Sequence, residues 1–348
     1  MRDLKYLLAY LLPISAIVGI YFGGIWSFST FVFAYIFIPA LEVAMLGTTS
    51  NFDEVEEEDR VKSRFFDVLL WLNVPLLYFI LGYYFYTIST SALLGYELLG
   101  MTISVGMICG ALGINVAHEL GHRTTWYDRM MSKTLLLSCF YMHFSIEHNL
   151  GHHKHVATDE DPASSRLGET VYAFFIRSVR DSYLSAWQIE HTRLRRAGLK
   201  IMSLQNEMIR FQVIQLLYLV TIGLVFGWIA ALFAVVVGVM GFLMLETINY
   251  VEHYGLRRKK LASGRYEKVQ AHHSWNSNHT VGRIMLYELT RHSDHHFKAT
   301  RKYQILRHFG ESPQMPYGYP ASMLMSWFPP LWFKVMDKEV AKYSMSEF

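Results

Sequence analysis

The sequence predicts an all-α integral membrane protein, six transmembrane helices under a cytoplasmic helical cap rich in histidine. Three observations predict it. Of 348 residues, 52% are hydrophobic and 18% charged, where soluble domains carry roughly 25% charged residues. Lys and Arg are absent from three long windows, 6–59, 65–122 and 211–256. The chain also holds 16 histidines, and most of them gather just outside those windows.

The elements follow in order. The apolar part of the first window would form one helix about 60 Å long, twice the hydrocarbon thickness of a bilayer. The stretch FGGIWSFS at 22–29 divides it. Paired glycines suit a tight turn and a Trp suits the membrane interface, which leaves helices at 5–23 and 27–47. No small-residue cleavage site follows the first, so it reads as a retained helix and not a signal peptide. The acidic run NFDEVEEEDR at 51–60 reads as a solvated loop. The second window divides around TISTSALLGYE into helices at 66–87 and 97–117, and the third around LVFGWIA into helices at 211–226 and 229–251.

The chain is thus organised as helices 1–4 in 1–117, a histidine-rich segment at 118–210, helices 5–6 in 211–251 and a histidine-rich segment at 252–348, all in one integrated domain. The turns near 24, 90 and 227 carry no Lys or Arg, and all 32 basic residues fall on the other side. The positive-inside rule then places both termini and both histidine-rich segments in the cytoplasm.

The histidines fall into four groups. HELGHR gives His118 and His122, EHNLGHH gives His148, His152 and His153, NYVEHYGL gives His253, and RHSDHH gives His292, His295 and His296. Within each cluster, helical spacing brings the rings to one face. Nine imidazoles exceed the needs of one ion but match two ions with four or five nitrogens each. Neutral imidazole suits Fe, Cu, Ni and Zn. His143, His155, His191, His279 and His308 are isolated, and the adjacent His272 and His273 read as hydrogen-bonding residues.

Carboxylates stand near these ligands. Glu119, Glu147, Asp159, Glu252 and Asp294 are candidates to orient a histidine through its outer nitrogen. Glu246 lies inside helix 6, where an acid is functional by default. HELGH also fits the zinc-protease pattern with Glu119 as general base, a reading that leaves six clustered histidines without a role. Cys109 and Cys139 stand apart in apolar context, suggest no disulfide and form no CxxC pair for an iron–sulfur or rubredoxin-type centre. There is no dinucleotide fingerprint either, so any electron-transfer centre of that kind must come from another protein. Nothing points to nucleic acid.

At these histidine motifs the sequence resembles the membrane-bound alkane 1-monooxygenases of the histidine-rich desaturase and hydroxylase superfamily. VATDEDPASSRLGET, HSWNSNH and RKYQILRHFGESPQMPYGYP look like the same family, and the likeness runs from helix 1 to about residue 335. NYVEHYGL with HSDHH favours the alkane branch over the xylene monooxygenases and the generic desaturases. The loop GTTSNFDEVEEED lacks a proline-containing stretch expected there.

The resemblance implies two non-haem irons bound by His118, His122, His148, His152, His153, His253, His292, His295 and His296. It implies O2-dependent terminal hydroxylation of medium-to-long-chain n-alkanes, taken from the lipid bilayer, to 1-alkanols. It also implies electrons from rubredoxin, itself reduced by a rubredoxin reductase, and residence in the bacterial inner membrane. Basic runs such as TRLRRAGLK and LRRKK would face that donor. Desaturation or hydroxylation of fatty acyl or methyl-aromatic substrates is the alternative with the same metal site.

Overall fold

The computed structural model describes residues 2–45 and 47–345. The fold is helical, with two isolated bridges, Lys260–Tyr266 and Asn276–Gln314, as the sole β-pairing among the described residues.

Six helices are long and apolar enough to span a membrane: α1 (Asp3–Phe22), α2 (Gly24–Ala44), α4 (Arg64–Thr90), α5 (Gly95–Gly121), α9 (Glu207–Phe226) and α10 (Trp228–His253). Each lies within a few residues of its expected span, and capping chemistry sets the differences. Between α1 and α2 the chain turns through Gly23 (φ 59°) and Gly24 (φ 52°), a left-handed conformation that favours glycine. The Gly24 N–H donates to Glu97 Oε1 at 2.6 Å, and Leu94 N–H donates to Glu97 Oε2 at 2.9 Å. One acid thus holds the first hairpin turn and caps α5 two residues before its expected start. Asn206 Oδ1 accepts from Met208 N–H at 2.9 Å and starts α9 four residues early.

The acidic run is a helix, not the expected loop. Asp53 caps α3 (Glu54–Lys62) by accepting from Glu56 N–H at 2.8 Å. Glu54, Glu56 and Glu57 in its first turn complement the positive end of the helix dipole. Arg60 is buried and donates to Gln304 O at 2.9 Å, and Glu57 accepts from Arg307 at 2.6 Å. Charge alone does not reveal this docking.

The remaining helices are α6 (Trp126–Leu137), a turn of mixed helix α7 over 144–155, α8 (Val171–Arg196), α11 (Thr280–Met285), α12 (His292–Phe297), α13 (Tyr319–Ser326) and α14 (Pro329–Met345). The chain forms two compact units. The first comprises Met1–Phe37, Arg64–Asn149 and Tyr183–Leu245, and the second Ile38–Ser63, Leu150–Ser182 and Glu246–Phe348.

In the first unit α5 and α10 meet through small residues. A Cβ on Gly106 would meet Met240 Cβ at 2.7 Å, and one on Gly241 would meet Cys139 Sγ at 2.7 Å and Cys109 Cβ at 2.8 Å. Such close approach is how helices pack where no hydrophobic force drives them together. It also corrects the expectation that the cysteines stand apart: both are buried free thiols, and Cys139 Sγ lies 3.4 Å from Cys109 O. Tyr21, Phe22, Trp26 and Phe37 are exposed on α1 and α2, as lipid-facing side chains are, while Tyr35 is buried. On α5, Met101, Met107 and Leu112 are buried.

In the second unit Tyr250, Tyr254, Trp275, Tyr319 and Trp332 form a buried aromatic floor. Trp275 Nε1 donates to Tyr254 O at 2.9 Å. This floor fixes the last turns of α10 and carries them to the residues below.

Candidate metal centre

Three short elements of the second unit deliver imidazoles. His253 closes α10. His152 ends a π-helical stretch, His148–His152, and His153 follows it directly. α12 presents His292, His295 and His296. Fully buried Arg291 fixes the entry to α12, donating to Leu306 O at 2.7 Å and Ser50 O at 2.9 Å. Asp294 fixes its other side, accepting from Arg307 N–H and Arg301 Nη1, each at 2.7 Å. Burial pushes the Asp294 carboxyl above the usual range. It accepts from Arg301 and Arg307, so it anchors the helix and orients the rings indirectly.

His152, His253, His292 and His296 are all buried, and their ligand atoms lie within 4.8 Å of one another. His152 Nε2 is 3.2 Å from His296 Nε2, and His253 Nε2 is 3.3 Å from His292 Nε2. Nitrogens held about 2.0–2.1 Å from one tetrahedral ion stand roughly 3.3–3.4 Å apart. The spacing therefore fits a metal. His153 and His295 form a further pair, Nε2 to Nε2 at 3.1 Å. Burial first, and then the neighbouring rings, holds His296 well below the usual histidine range, so its imidazole is neutral and able to ligate.

The surroundings select the inner nitrogens. His152 Nδ1–H donates to Asp161 Oδ2 at 2.9 Å, which leaves Nε2 with its lone pair facing inward. Asp161 is buried and also accepts from Ser164 Oγ at 2.6 Å and Ala163 N–H at 3.1 Å. Burial alone would raise its carboxyl, but His152 and Ser164 together bring it below the ordinary aspartate value.

Glu252 differs. Its Oε1 accepts from Tyr319 OH at 2.7 Å, while Oε2 lies 3.1 Å from His292 Nε2, the inner nitrogen. It therefore sits beside the ligand atoms themselves, where it can hold a proton or face a cation. Glu246 accepts from Ser178 Oγ at 2.6 Å, with Asn249 Nδ2 at 3.4 Å.

The first unit gathers the other three histidines. α5 widens through a π-helical stretch, Cys109–Ile114, then delivers His118 and His122. His148 closes on them: its ring centroid is 4.4 Å from that of His118, and its Nε2 is 3.2 Å from His122 Nε2. Phe144 stacks on His148 at 4.6 Å. Glu119 accepts from Arg123 Nη2 at 2.7 Å, and Arg123 also donates to Asp67 at 3.0 Å. The acid that a protease would use as base is thus held in a largely buried ion pair. Glu147 accepts from Ser185 at 3.4 Å.

The seven remaining histidines have other work. His143 packs between Tyr141 and Tyr183, and burial pushes its pKa down to about 3. His191 stacks on Trp187, His155 pairs with Glu160, His279 with Ser277 and His308 with Asn278. His272, His273 and Glu267 form a third cluster. There His273 Nδ1 accepts from Gln270 N–H at 2.9 Å and Nε2 faces Glu267 at 3.2 Å, so both nitrogens of that ring are used. Asp159 is 76% exposed at its side chain, 3.8 Å from Arg257. In that loop the acid that reaches a ligand is Asp161, missed in the sequence because spacing along a loop does not report burial.

The sequence model of the fatty acid desaturase family matches residues 94–326. Alkane 1-monooxygenase 2 of Pseudomonas aeruginosa is 40% identical over 318 residues, 89% of this chain and 83% of that protein. Alkane 1-monooxygenase of Ectopseudomonas oleovorans is 38% identical over 348 residues, 98% of this chain and 86% of that protein. The xylene/toluene monooxygenase hydroxylase component XylM of Pseudomonas putida is 29% identical, covering 97% of this chain and 89% of its own.

Proposed function

The chain belongs to the fatty acid desaturase family and, within it, to the alkane 1-monooxygenases, and from that premise we propose that it hydroxylates the terminal carbon of medium-to-long-chain n-alkanes to 1-alkanols at a di-iron centre. It is a multi-pass membrane enzyme with a histidine-rich metal site, a hydrophobic substrate and an electron-transfer partner. Rubredoxin is the proposed donor, and the bacterial inner membrane with a cytoplasmic site is the proposed setting.

The observation that carries the reading is the buried group His152, His253, His292 and His296, with nitrogen separations that fit one ion. These four would hold one iron. The other proposed ligands are His118, His122 and His148 of the first unit, and His153 and His295 of the second unit. When bound, the two irons supply the redox chemistry by which O2 and two electrons oxidise a saturated C–H bond, for which no side chain offers a nucleophile or base.

The protein's own part is positional. Asp161 keeps the proton on His152 Nδ1 and the lone pair inward. Glu252, hydrogen-bonded by Tyr319, is placed to accept or return a proton at the ligand face. The buried apolar side chains of Met101, Met107 and Leu112 run along α5 toward His118. They offer an alkane a dry approach with nothing to hydrogen-bond. An end-on approach presents the chain terminus first, which accounts for terminal selectivity.

The test supplies purified, iron-loaded protein with rubredoxin, its reductase and NADH, and offers octane, a fatty acyl lipid and xylene in parallel. The expected result is 1-octanol as the main product, with two irons per chain. Preferential oxidation of xylene or the acyl lipid overturns the substrate assignment, and one zinc per chain overturns the chemistry.

A further inference from the structure

Two surface segments of the second unit, 154–160 and 256–268, lie against each other. Arg258 N–H donates to Ala157 O at 2.8 Å, Arg258 Nη1 donates to Lys154 O at 3.0 Å, and Arg257 stands 3.8 Å from Asp159. The second segment folds back on itself through Lys260–Tyr266 pairing and the Glu267 N–H to Lys259 O bond at 3.0 Å. Together they hold seven cations, Lys154, Arg257, Arg258, Lys259, Lys260, Arg265 and Lys268, against the carboxylates of Asp159, Glu160 and Glu267. This surplus exceeds the net charge of +3 on the whole chain. Seven cations against three carboxylates give the two segments a local surplus of four positive charges.

The patch begins at the metal group. Lys154 is exposed and follows His153 directly. His153 is the partly exposed member among the proposed ligands of this unit, while His152, His253, His292, His295 and His296 are buried. Its ring lies 4.6 Å from His296 and 4.8 Å from His295. A donor seated on this patch is one imidazole away from the site. Leu261, 50% exposed, and Tyr266 give the patch an apolar centre inside the ring of charge, an arrangement suited to a transient protein contact.

We propose that segments 154–160 and 256–268 are the docking surface for an acidic one-electron carrier protein, and that electrons enter through the edge of His153. The proposal rests on the monooxygenase reading and deepens it by locating the partner. It also separates two basic runs: LRRKK at 256–260 forms the dock, and TRLRRAGLK at 192–200, in the first unit, does not. The carrier gives up one electron per encounter and leaves oxidised. Two encounters match the two electrons that each hydroxylation consumes.

The test uses the full-length, iron-loaded protein in lipid nanodiscs. Oxidation of reduced rubredoxin is followed by its visible absorbance in the parent, in Lys259→Glu/Lys260→Glu and in Arg195→Glu/Arg196→Glu. Reversing two charges on the dock is expected to slow oxidation about tenfold or more at low salt and to flatten its salt dependence. Arg195→Glu/Arg196→Glu keeps the parent rate. Reduction by methyl viologen stays the same in all three. Carbodiimide coupling to rubredoxin should map to Lys154, Lys259, Lys260 or Lys268.

An unchanged rate in Lys259→Glu/Lys260→Glu, an equal loss in both variants, or cross-links elsewhere overturns the proposal. A defect that disappears when anionic lipid is replaced by zwitterionic lipid also overturns it, and assigns the patch to the membrane surface. If rubredoxin fails with the parent while viologen succeeds, the choice of rubredoxin is wrong. The same variants with an acidic plant-type ferredoxin then decide the dock.

Discussion

Replacing Asp161 tests how far the second unit's metal group depends on an acid that touches no metal. Asp161→Asn preserves shape. Its carbonyl at the Oδ2 position still accepts from His152 Nδ1–H and Ser164 Oγ–H, but its amide takes the place of Oδ1 and faces Ala163 N–H, donor against donor. Charge is lost as well, and charge-assisted hydrogen bonds are roughly twice as strong as neutral ones. The loss is at least about 1–1.5 kcal/mol, tenfold or more in metal affinity. Asp161→Leu removes the acceptor as well. It leaves His152 Nδ1–H, Ser164 Oγ and Ala163 N–H buried without this partner. At about 1–3 kcal/mol for each stranded group, at least a hundredfold loss of metal affinity is expected, the upper end for outer-shell changes. Chelator competition on purified protein, read as metal per chain against free metal, measures both variants. Parent-like affinity in Asp161→Leu, with one ion lost from His152→Ala, refutes this account of ring orientation.

His296→Ala should leave one firmly bound ion per chain, while His272→Ala keeps two, as metal analysis will show. His143→Phe should flatten the acid side of the stability profile. In the folded protein burial holds His143 at about 3, against 6.5 when unfolded. The unfolded chain therefore takes up the proton first as pH falls below 6.5, and stability drops by about 1.4 kcal/mol per pH unit. Thermal unfolding between pH 7 and 4 checks the slope, which should persist only in the parent. Gly318→Ala should lower the yield of folded protein severalfold in a detergent-extracted expression assay, because its Cβ would fall inside the carboxylate of buried Glu42.

The spans were legible because the bilayer imposes a length and a composition on any helix that crosses it. Runs without Lys or Arg report both directly. The histidine groups were legible for a related reason: spacings of three and four residues place rings together on any α-helix, whatever it packs against. Arg60, Asp161 and the Cys109–Cys139 contact were not. Arg60 and Glu57 reach partners some 250 residues away, and Asp161 acts from a loop. The cysteines meet where Gly113 lets α5 approach Ser138 and Cys139. Each depends on tertiary packing that no local period encodes. Asp159 and Asp161 illustrate the limit, since two acids two residues apart in one loop are respectively solvated and buried against a ligand.

A shell of neutral imidazoles leaves the charge of the ions uncancelled by their own ligands. Asp161 and Glu252 stand at His152 and His292, and Glu246 lies two turns before His253 on α10. All three are buried, and each costs desolvation energy while the metal is away. Their sign of contribution should therefore reverse with metal. In the apo protein, Glu252→Gln removes a buried acid while its carbonyl still accepts from Tyr319, now 2.7 Å from the acid, so unfolding temperature should hold or rise. In the loaded protein the same change removes an anion beside a cation and should lower it, together with metal affinity. Glu246→Gln, still bonded by Ser178, should behave alike with a smaller amplitude. Scanning calorimetry of each variant with and without iron separates the two cases. Destabilisation of equal size in both forms would mean that these acids hold the helices together and do not balance the metal.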